Sequence, residues 1–454
     1  MRRLEAGGDG RRDGLPSPSE FILPHRGLHR NGKLRVVFDG SAPDGTGRSL
    51  NSHLEPGENL LRRLPAVLLN FRSGVVGCQT DIRAAFHQIL LCEEDRQFVQ
   101  LLWAGQRLRF RRVPFGLTCS PYMLLCTIAE HVRQRLHSEP VLLQRVQDSI
   151  YMDDMCPTFS SRAEAESGLK RMSSVFREAS MDLHKTRMSG DDLEDEKMLG
   201  LLWSTRSDSL AVIVPQAECP TTRAELLSAV SKPFDPLGVV TPWLIWGKAI
   251  FQRTWQEGGS WDGPLGGELQ AEVRTWWSDS PGRMIWFPRF AGAGECDRSE
   301  TAFHVFCDAS TTAYCAAVYV VQGGESALVM SRSRLAPLSP NLTVPRLELM
   351  AAVTGARLMD FVKNVLHLSD TMVTYWSDST DVLHWLDRKK PLKMFVENRV
   401  KTVLELTTAD QWRYVRGSEN PADLGTRGIP LSALIRSDKW WKGPPFILST
   451  PARD

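Results

Sequence analysis

No run of about eighteen consecutive apolar residues occurs in the chain, so the sequence offers no helix able to span a bilayer. The amino terminus, MRRLEAGGDGRRDG, carries charge but no apolar core, and so lacks the pattern of a secretory signal. These absences set the expectation of a cytoplasmic protein without a membrane partner. No two cysteines form a CxxC pair, and the nine present are scattered, several inside apolar runs (Cys119, Cys126, Cys307, Cys315). That pattern argues against a zinc site, and the odd count suits reduced thiols. No internal repeat is visible. Nor does charge of one sign prevail: 55 Lys and Arg stand against 53 Asp and Glu, a net +2. A nucleic-acid enzyme survives that balance, because a basic channel and acidic metal sites cancel in the sum.

What is there is an ordinary globular composition, 42% hydrophobic and 24% charged over 454 residues, enough for roughly two to four packed domains. Residues 1–20, rich in Gly, Arg, Asp, Ser and Pro, read as a disordered lead-in. From Phe21 to about Pro215 the pattern is α/β, with expected strands at Leu34–Phe38, Val75–Thr80 and Ser149–Met152. Helices are expected at Leu60–Phe71, Pro121–Leu136 and Arg162–Ala179. Residues 216–300 turn helical and Trp-rich, broken by KPFDPLG and closed by a linker, AGAGECDRSE. Residues 301–436 return to α/β. Three consecutive strands (Phe303–Cys307, Tyr314–Val321, Ala327–Ser331) precede a long helix, Leu347–Leu366. A strand at Met372–Trp376, helices at Thr380–Leu386 and Phe395–Leu406 and a last strand at Trp412–Arg416 follow. That order predicts a mixed sheet with helices packed on it. Residues 437–454 are left as a tail.

Tyr151-Met152-Asp153-Asp154 is the sharpest local signal. Adjacent carboxylates repel, and neighbours on a strand face opposite ways, so the pair is best explained by a tight hairpin turn beside a cation. Asp81, near the end of the strand expected at Val75–Thr80, could complete such a site. Aspartates converging from two strand ends make an oxygen-rich site suited to Mg²⁺. A solvated Asp-Asp turn is the competing reading of the dipeptide alone. RLRFRR alternates cations with Leu108 and Phe110, which on a strand puts Arg107, Arg109 and Arg111 on one face. Such a face could track phosphates or could be merely solvated. The acidic run Asp191 to Glu196 reads as a solvated loop.

Four separated acids recur in the carboxy-terminal α/β region. Asp308 ends FHVFCDAS, Glu348 lies early in VPRLELMAA, Asp378 follows VTYWSDST, and Asp423 lies in ENPADLGTRG. Each alone could be a helix or strand cap. His304 and His384 read as packing residues.

Taken together these motifs resemble the Pol polyprotein of BEL/Pao-type LTR retrotransposons, over its reverse transcriptase and ribonuclease H regions. YMDD is the signature of reverse-transcriptase palms, and TDIRAAFHQI resembles the first palm motif, which implies metal-ligand roles for Asp81, Asp153 and Asp154. The resemblance further implies that Phe86 excludes a ribose 2′-hydroxyl, although the residue alone could equally be core. RVPFGLTCSP is similar to the motif shaping the nucleotide pocket, with Phe115 and Gly116 under the incoming base and template and Tyr151 beside them. KLRVVFDGS resembles the fingers strand and makes Arg35 a candidate for the triphosphate, with Lys33 as an alternative that could be a solvated edge cation. LHKTR places Lys185 near the leaving phosphate, and LGLLW (Leu199 to Trp203) resembles the primer-grip hairpin. After Lys185 the usual aromatic and Ser-Asn pair is replaced by Thr186, Arg187 and Met188.

In the order strand, helix, strand, helix, Asp308, Glu348, Asp378 and Asp423 resemble the carboxylate set of ribonuclease H. Where many cellular relatives carry a mobile His before the last acid, RGSEN here offers Ser418 and Glu419. The pieces LPHRGL, SLNSHL, PFDPLG, IWFPR, FVENRV and WWKGP extend the resemblance over roughly Phe21 to Pro445.

The resemblance implies a multidomain α/β and α+β chain: a right-hand polymerase of fingers, palm and thumb, followed by a ribonuclease H-like mixed-sheet domain. Fingers and palm would occupy 21–215, thumb and connection 216–300, and the nuclease 301–436. It implies two Mg²⁺ ions per site, with Mn²⁺ a substitute, and as partners an RNA template, DNA primer, RNA–DNA hybrid and dNTPs. Gag, protease and integrase products are expected partners whose motifs this chain lacks, so it reads as a fragment of a longer polyprotein, in the cytoplasm or in virus-like particles. The alternative is a decayed or co-opted copy that binds nucleic acid without polymerase turnover.

Overall fold

In VGCQTDI, alternation sets the two faces of a strand, Val76–Ile82: Cys78, Thr80 and Ile82 are wholly buried, while Gln79 and Asp81 look the other way and are less covered. The computed structural model describes residues 21–449 apart from 31, 293–300, 340–341, 369–372 and 389–390. The expected lead-in and most of the expected linker therefore lie outside the described residues, as does the Lys33 side chain. Among the described residues no helix is long and apolar enough to cross a membrane.

The chain divides into two compact units. The first holds residues up to Arg63 together with Gln79–Pro157 and Ala163–Thr186; the second holds Leu64–Cys78, Thr158–Arg162 and everything from Arg187 onward. These limits do not follow the expected segment boundaries. Residues 64–78 go with the second unit because the buried Arg72 donates to the carbonyls of Arg289, Val329 and Leu328 at 3.1, 2.6 and 2.9 Å.

In the first unit, the strands Ile150–Tyr151 and Asp154–Met155 form a hairpin, and the second of them pairs antiparallel with Val76–Ile82. Met152, at φ 58°, supplies the left-handed residue that a two-residue turn needs. Leu183–Met188 pairs with Val76–Ile82 as well. A second antiparallel hairpin, His25–Arg30 with Lys33–Phe38, joins a core of Leu23, Phe38, Leu50, Val99, Leu101, Phe110 and Leu117. Two expectations shift here. The helix placed at Leu60–Phe71 spans Leu64–Ser73, since Pro65 is tolerated only in a first turn and opposes helix before it. The strand placed at Ser149–Met152 shrinks to Ile150–Tyr151, because an unanticipated helix, Pro140–Ser149, runs up to it. In RLRFRR the strand stops at Arg109; Phe110 is buried and Arg111 lies beyond the ladder.

The second unit holds two sheets. One is antiparallel and four-stranded: Glu196–Met198, Leu201–Ser204, Ser209–Ile213 and Met284–Pro288. The other is five-stranded and mixed, in the order Glu325–Leu335, Ala313–Gln322, Ala302–Ala309, Val373–Ser377, Trp412–Tyr414. Its first two pairings are antiparallel and its last two parallel. The helix Val344–Leu366 packs closely on it at Gly355, where an added Cβ would meet Cys307 Sγ at 2.4 Å.

Three helices, Arg223–Ser231, Thr241–Glu257 and Gly267–Trp277, stand between the sheets in sequence. Trp243 and Trp276 stack at 5.0 Å and exchange indole-to-carbonyl hydrogen bonds. In PFDPLG, Asp235 accepts from the backbone of Val239 and Val240 at 2.8 and 2.9 Å. Gly238, at φ 73°, lies so close to the Ser331 carbonyl that a Cβ would come to 2.1 Å. That contact docks the helical segment on the Glu325–Leu335 strand of the mixed sheet. Residues expected as a tail form a helical turn, Asp438–Trp441, with Trp440 wholly buried.

Candidate functional site

Each unit carries one carboxylate cluster. In the first, antiparallel register sets Asp81 directly opposite Asp154, and Tyr151 opposite Asp154 on the other side. Asp153 sits in the turn between, its carbonyl accepting from Ile82 N at 2.9 Å. The turn thus brings three acids from two chain segments to one end of the sheet. Burial pushes the Asp153 carboxyl up, with the Asp81 charge adding to it and the Lys185 charge opposing. Lys185, in the left-handed region at φ 55°, donates its Nζ to Asp81 Oδ2 at 2.9 Å. His184 holds the Asp81 carbonyl through Nδ1 at 2.8 Å.

Phe86 and Phe115 meet edge to face at 5.0 Å, and His87 meets Phe115 at 5.1 Å. Gly116, at φ 93°, leaves 2.2 Å between a built Cβ and the Phe38 carbonyl, so no other residue fits the loop. Asn51 pins that loop: its Nδ2 donates to the Gly116 carbonyl at 3.0 Å and to Ser41 Oγ at 2.8 Å, and its Oδ1 accepts from Thr118 N at 2.9 Å. Arg35 stands exposed on its strand, opposite Leu28, and no contact among the described residues joins it to the Asp81 cluster.

In the second unit, Asp308 lies at the end of the central strand Ala302–Ala309, and Asp378 just after the parallel neighbour Val373–Ser377. Their carboxyls are close enough for each to shift the titration of the other. Asp308 is pushed up to about 7 by burial first and then by Asp378, with Asp423 and Glu348 adding, while a 2.9 Å hydrogen bond from Thr426 opposes the rise. Burial raises Glu348 and Asp378 as well, with Ser379 opposing the rise at Glu348. Asn420 donates to the Cys307 carbonyl at 2.9 Å and helps to offset the rise at Asp378. Asp423 pairs with Arg427 at 2.6 Å.

Residues 48–200 match the family described as reverse transcriptase (RNA-dependent DNA polymerase), and residues 222–379 match the Pao retrotransposon-like RNaseH-like domain. A reverse-transcriptase match thus precedes a Pao retrotransposon-like RNaseH-like match along the chain. Its backbone is similar to foamy viral protease-reverse transcriptase. Against the dRH form in complex with ds DNA the TM-score is 0.58 at 15% identity, covering 87% of this chain and 65% of that one. Against the complex with RNA/DNA hybrid it is 0.55 at 13% identity, covering 87% and 50%. This chain thus spans less than two thirds of the length of either. Likeness at such identity speaks for the fold: a reverse transcriptase followed by an RNaseH-like domain, as the order of motifs predicts. A search of curated protein sequences found no match.

The Pao domain match starts at residue 222, ahead of the mixed sheet, which accords with the helical segment docking on that sheet. LGLLW forms the turn and second strand of a hairpin in which Trp203 is core, its indole donating to Asp208. Sequence reasoning missed Asn51 and His184, and the only signal for Asn51 was its place in SLNSHL.

Domains of these two kinds generally use divalent metal ions. Among the described residues no three His, Cys, Asp or Glu side chains converge tightly enough to hold one. The donor chemistry nevertheless fits Mg²⁺: both sets are all carboxylate, hard oxygens around which like charges accumulate. Asp378 Oδ1 is buried with no hydrogen-bond partner, as an atom awaiting a cation would be. Asp81 and Asp423 meanwhile lean on Lys185 and Arg427, which offset part of the repulsion.

Proposed function

We propose that this Pao retrotransposon chain copies RNA, and also DNA, templates from a DNA primer, and that its RNaseH-like domain cleaves the RNA of RNA–DNA hybrids. One observation carries the reading: Asp81 opposite Asp154, with Asp153 in the turn between them. That placement explains how adjacent like charges are tolerated, since a turn aims them at one shared space. Asp81, Asp153 and Asp154 would hold Mg²⁺ in the polymerase, and Asp308, Glu348, Asp378 and Asp423 in the nuclease, two ions per site, with Mn²⁺ able to replace them. When bound, such ions activate a hydroxyl or water and offset charge developing on phosphate.

The chain's own residues supply the rest. Lys185 balances Asp81 and stands ready for the leaving phosphate. Phe115 and Gly116, held by Asn51, form the floor of the nucleotide pocket, with Tyr151 beside it. Phe86, fixed against Phe115, limits room at the sugar 2′ position. Arg35 is offered to the triphosphate from its exposed strand. In this reading fingers and palm fall within 21–215, connection elements within 216–300 and the nuclease carboxylates within 301–436. The foamy viral relatives are complexes with ds DNA and with RNA/DNA hybrid, which supports nucleic-acid partners here. Gag, protease and integrase products, in the cytoplasm or virus-like particles, are the setting such an enzyme implies.

The test is primer extension on an RNA template and cleavage of a labelled hybrid, both with Mg²⁺. Asp153→Asn should lower extension by more than about a hundredfold and spare cleavage, and Asp308→Asn should do the reverse. A folded wild-type chain that binds hybrid yet neither extends nor cuts would sink the proposal and leave a decayed or co-opted nucleic-acid binder.

A further inference from the structure

Lys439 belongs to none of the motifs above, yet its backbone is among the best anchored in the second unit. It lies in the turn Asp438–Trp441, where Ser437 Oγ accepts from Trp440 N at 3.3 Å. Next to it, Trp440 is wholly buried; its indole donates to the Val239 carbonyl at 2.8 Å, and its own carbonyl accepts from the Tyr319 hydroxyl at 2.7 Å. Tyr319 is on the strand Ala313–Gln322, in the body of the mixed sheet. A lysine held this way cannot drift with a loose tail.

Its ammonium reaches the turn that leads into Asp423. Nζ donates to the Ser418 carbonyl at 2.8 Å, in the turn Gly417–Glu419 that precedes Asp423. That turn borders the cluster, since a Cβ on Gly417 would come within 3.0 Å of Asp378 Oδ2. Asp423, Asp308 and Asp378 of the cluster, and Glu419 of the turn itself, all attract the ammonium, yet its hydrogen-bond partner is a neutral carbonyl. Arg427, the other nearby cation, is instead committed to Asp423. An ammonium has three donors, and one is used on Ser418. Lysine is a compact point charge suited to a single phosphate.

We propose that Lys439 binds a backbone phosphate of the strand presented to the Asp308, Asp378 and Asp423 cluster. This rests on the hybrid-cleavage reading for its substrate. The simpler role, pinning the 417–419 turn, would show as altered melting and turnover without any change in electrostatic binding.

The experiment measures binding of an RNA–DNA hybrid by the full chain across a salt series, with metal chelated so that no strand is cut. Lys439→Gln should reduce the slope of log affinity against log salt by about one phosphate contact, and Lys439→Arg should keep it. With Mg²⁺, Lys439→Gln should raise the KM for hybrid cleavage about tenfold while kcat changes by less than about threefold. An unchanged slope overturns the proposal even if cleavage falls. Wild-type chain that binds but does not cut removes the nuclease reading alone, and the slope still decides the phosphate contact. Wild-type chain that fails to bind hybrid overturns both.

Discussion

Asn51 holds the Gly116 loop, the floor of the proposed nucleotide pocket, with three hydrogen bonds, to Gly116, Ser41 and Thr118, two as donor and one as acceptor. Truncation leaves a loop carbonyl and an amide without partners, a cost of about 1–3 kcal/mol. Asn51→Ala should therefore raise the KM for dNTP by about five- to tenfold and lower the melting temperature, while kcat on saturating dNTP changes less. Steady-state extension kinetics read this directly, and an unaltered KM would show that the loop holds itself. At this scale the sequence was partly legible. Two adjacent aspartates stand out in any sequence because their repulsion demands an explanation. The bond from Lys185 to Asp81 does not, since those residues are far apart in the chain and meet only across strand pairing.

Arg289 closes IWFPR, a segment noted in the sequence for its resemblance and given no role there. In the structure its side chain is wholly buried just beyond the strand Met284–Pro288. It forks onto Asp208 at 2.7 and 2.8 Å and donates to the carbonyls of Phe71, Gly74 and Val75 at 2.6, 2.9 and 2.6 Å. Arg72 answers from the helix Leu64–Ser73, pushed down to about 9 by burial and by the Arg289 charge. These two cations join a helix and strands of two sheets within one unit. Arg289→Met would fill the space but take from Asp208 its cation, leaving it the Trp203 and Ser189 donors, and remove the guanidinium from three carbonyls, costing about 3 kcal/mol. Lysine, with no planar fork, should rescue little of it. Denaturant unfolding would check both variants; a loss under about 1 kcal/mol for Met would mean that water replaces the guanidinium. No local pattern announces such a residue, because an Arg after a Pro is ordinarily exposed.

His304, read from the sequence as a packing residue, sits in the second unit with its Nδ1 accepting from the Trp376 indole at 3.1 Å. Burial lowers it from 6.5 to about 4. The unfolded chain takes up this proton first as pH falls, so the contribution is full above about 6.5 and lost on descending towards 4, at most about 3 kcal/mol. Asp308, raised in the folded state, works with the opposite sign over an overlapping range. The sound comparison is therefore wild type against His304→Gln, which keeps an acceptor for Trp376 and cannot titrate. The stability difference between the two should narrow as pH drops from 7 to 4.5, measured by urea unfolding. A constant gap would mean that His304 stays neutral in the unfolded chain or becomes charged when folded. For the molecule as a whole, the sequence by itself determined most of the strands and helices of 301–436, the order of a reverse-transcriptase region before an RNaseH-like one, and the acids worth suspecting, but not the helix Pro140–Ser149 or the turn Asp438–Trp441. Hydrophobic period, proline placement and turn chemistry act over a few residues, so they can be read along the chain. Only the tertiary structure decided that Asp81 faces Asp154, that residues 64–78 go with the second unit, that the helical segment docks on the mixed sheet through Gly238, and that Lys439 Nζ meets the Ser418 carbonyl in the turn beside Asp378. Those outcomes depend on strand register and on buried side chains meeting from distant segments, which are settled by packing energies summed over the entire fold.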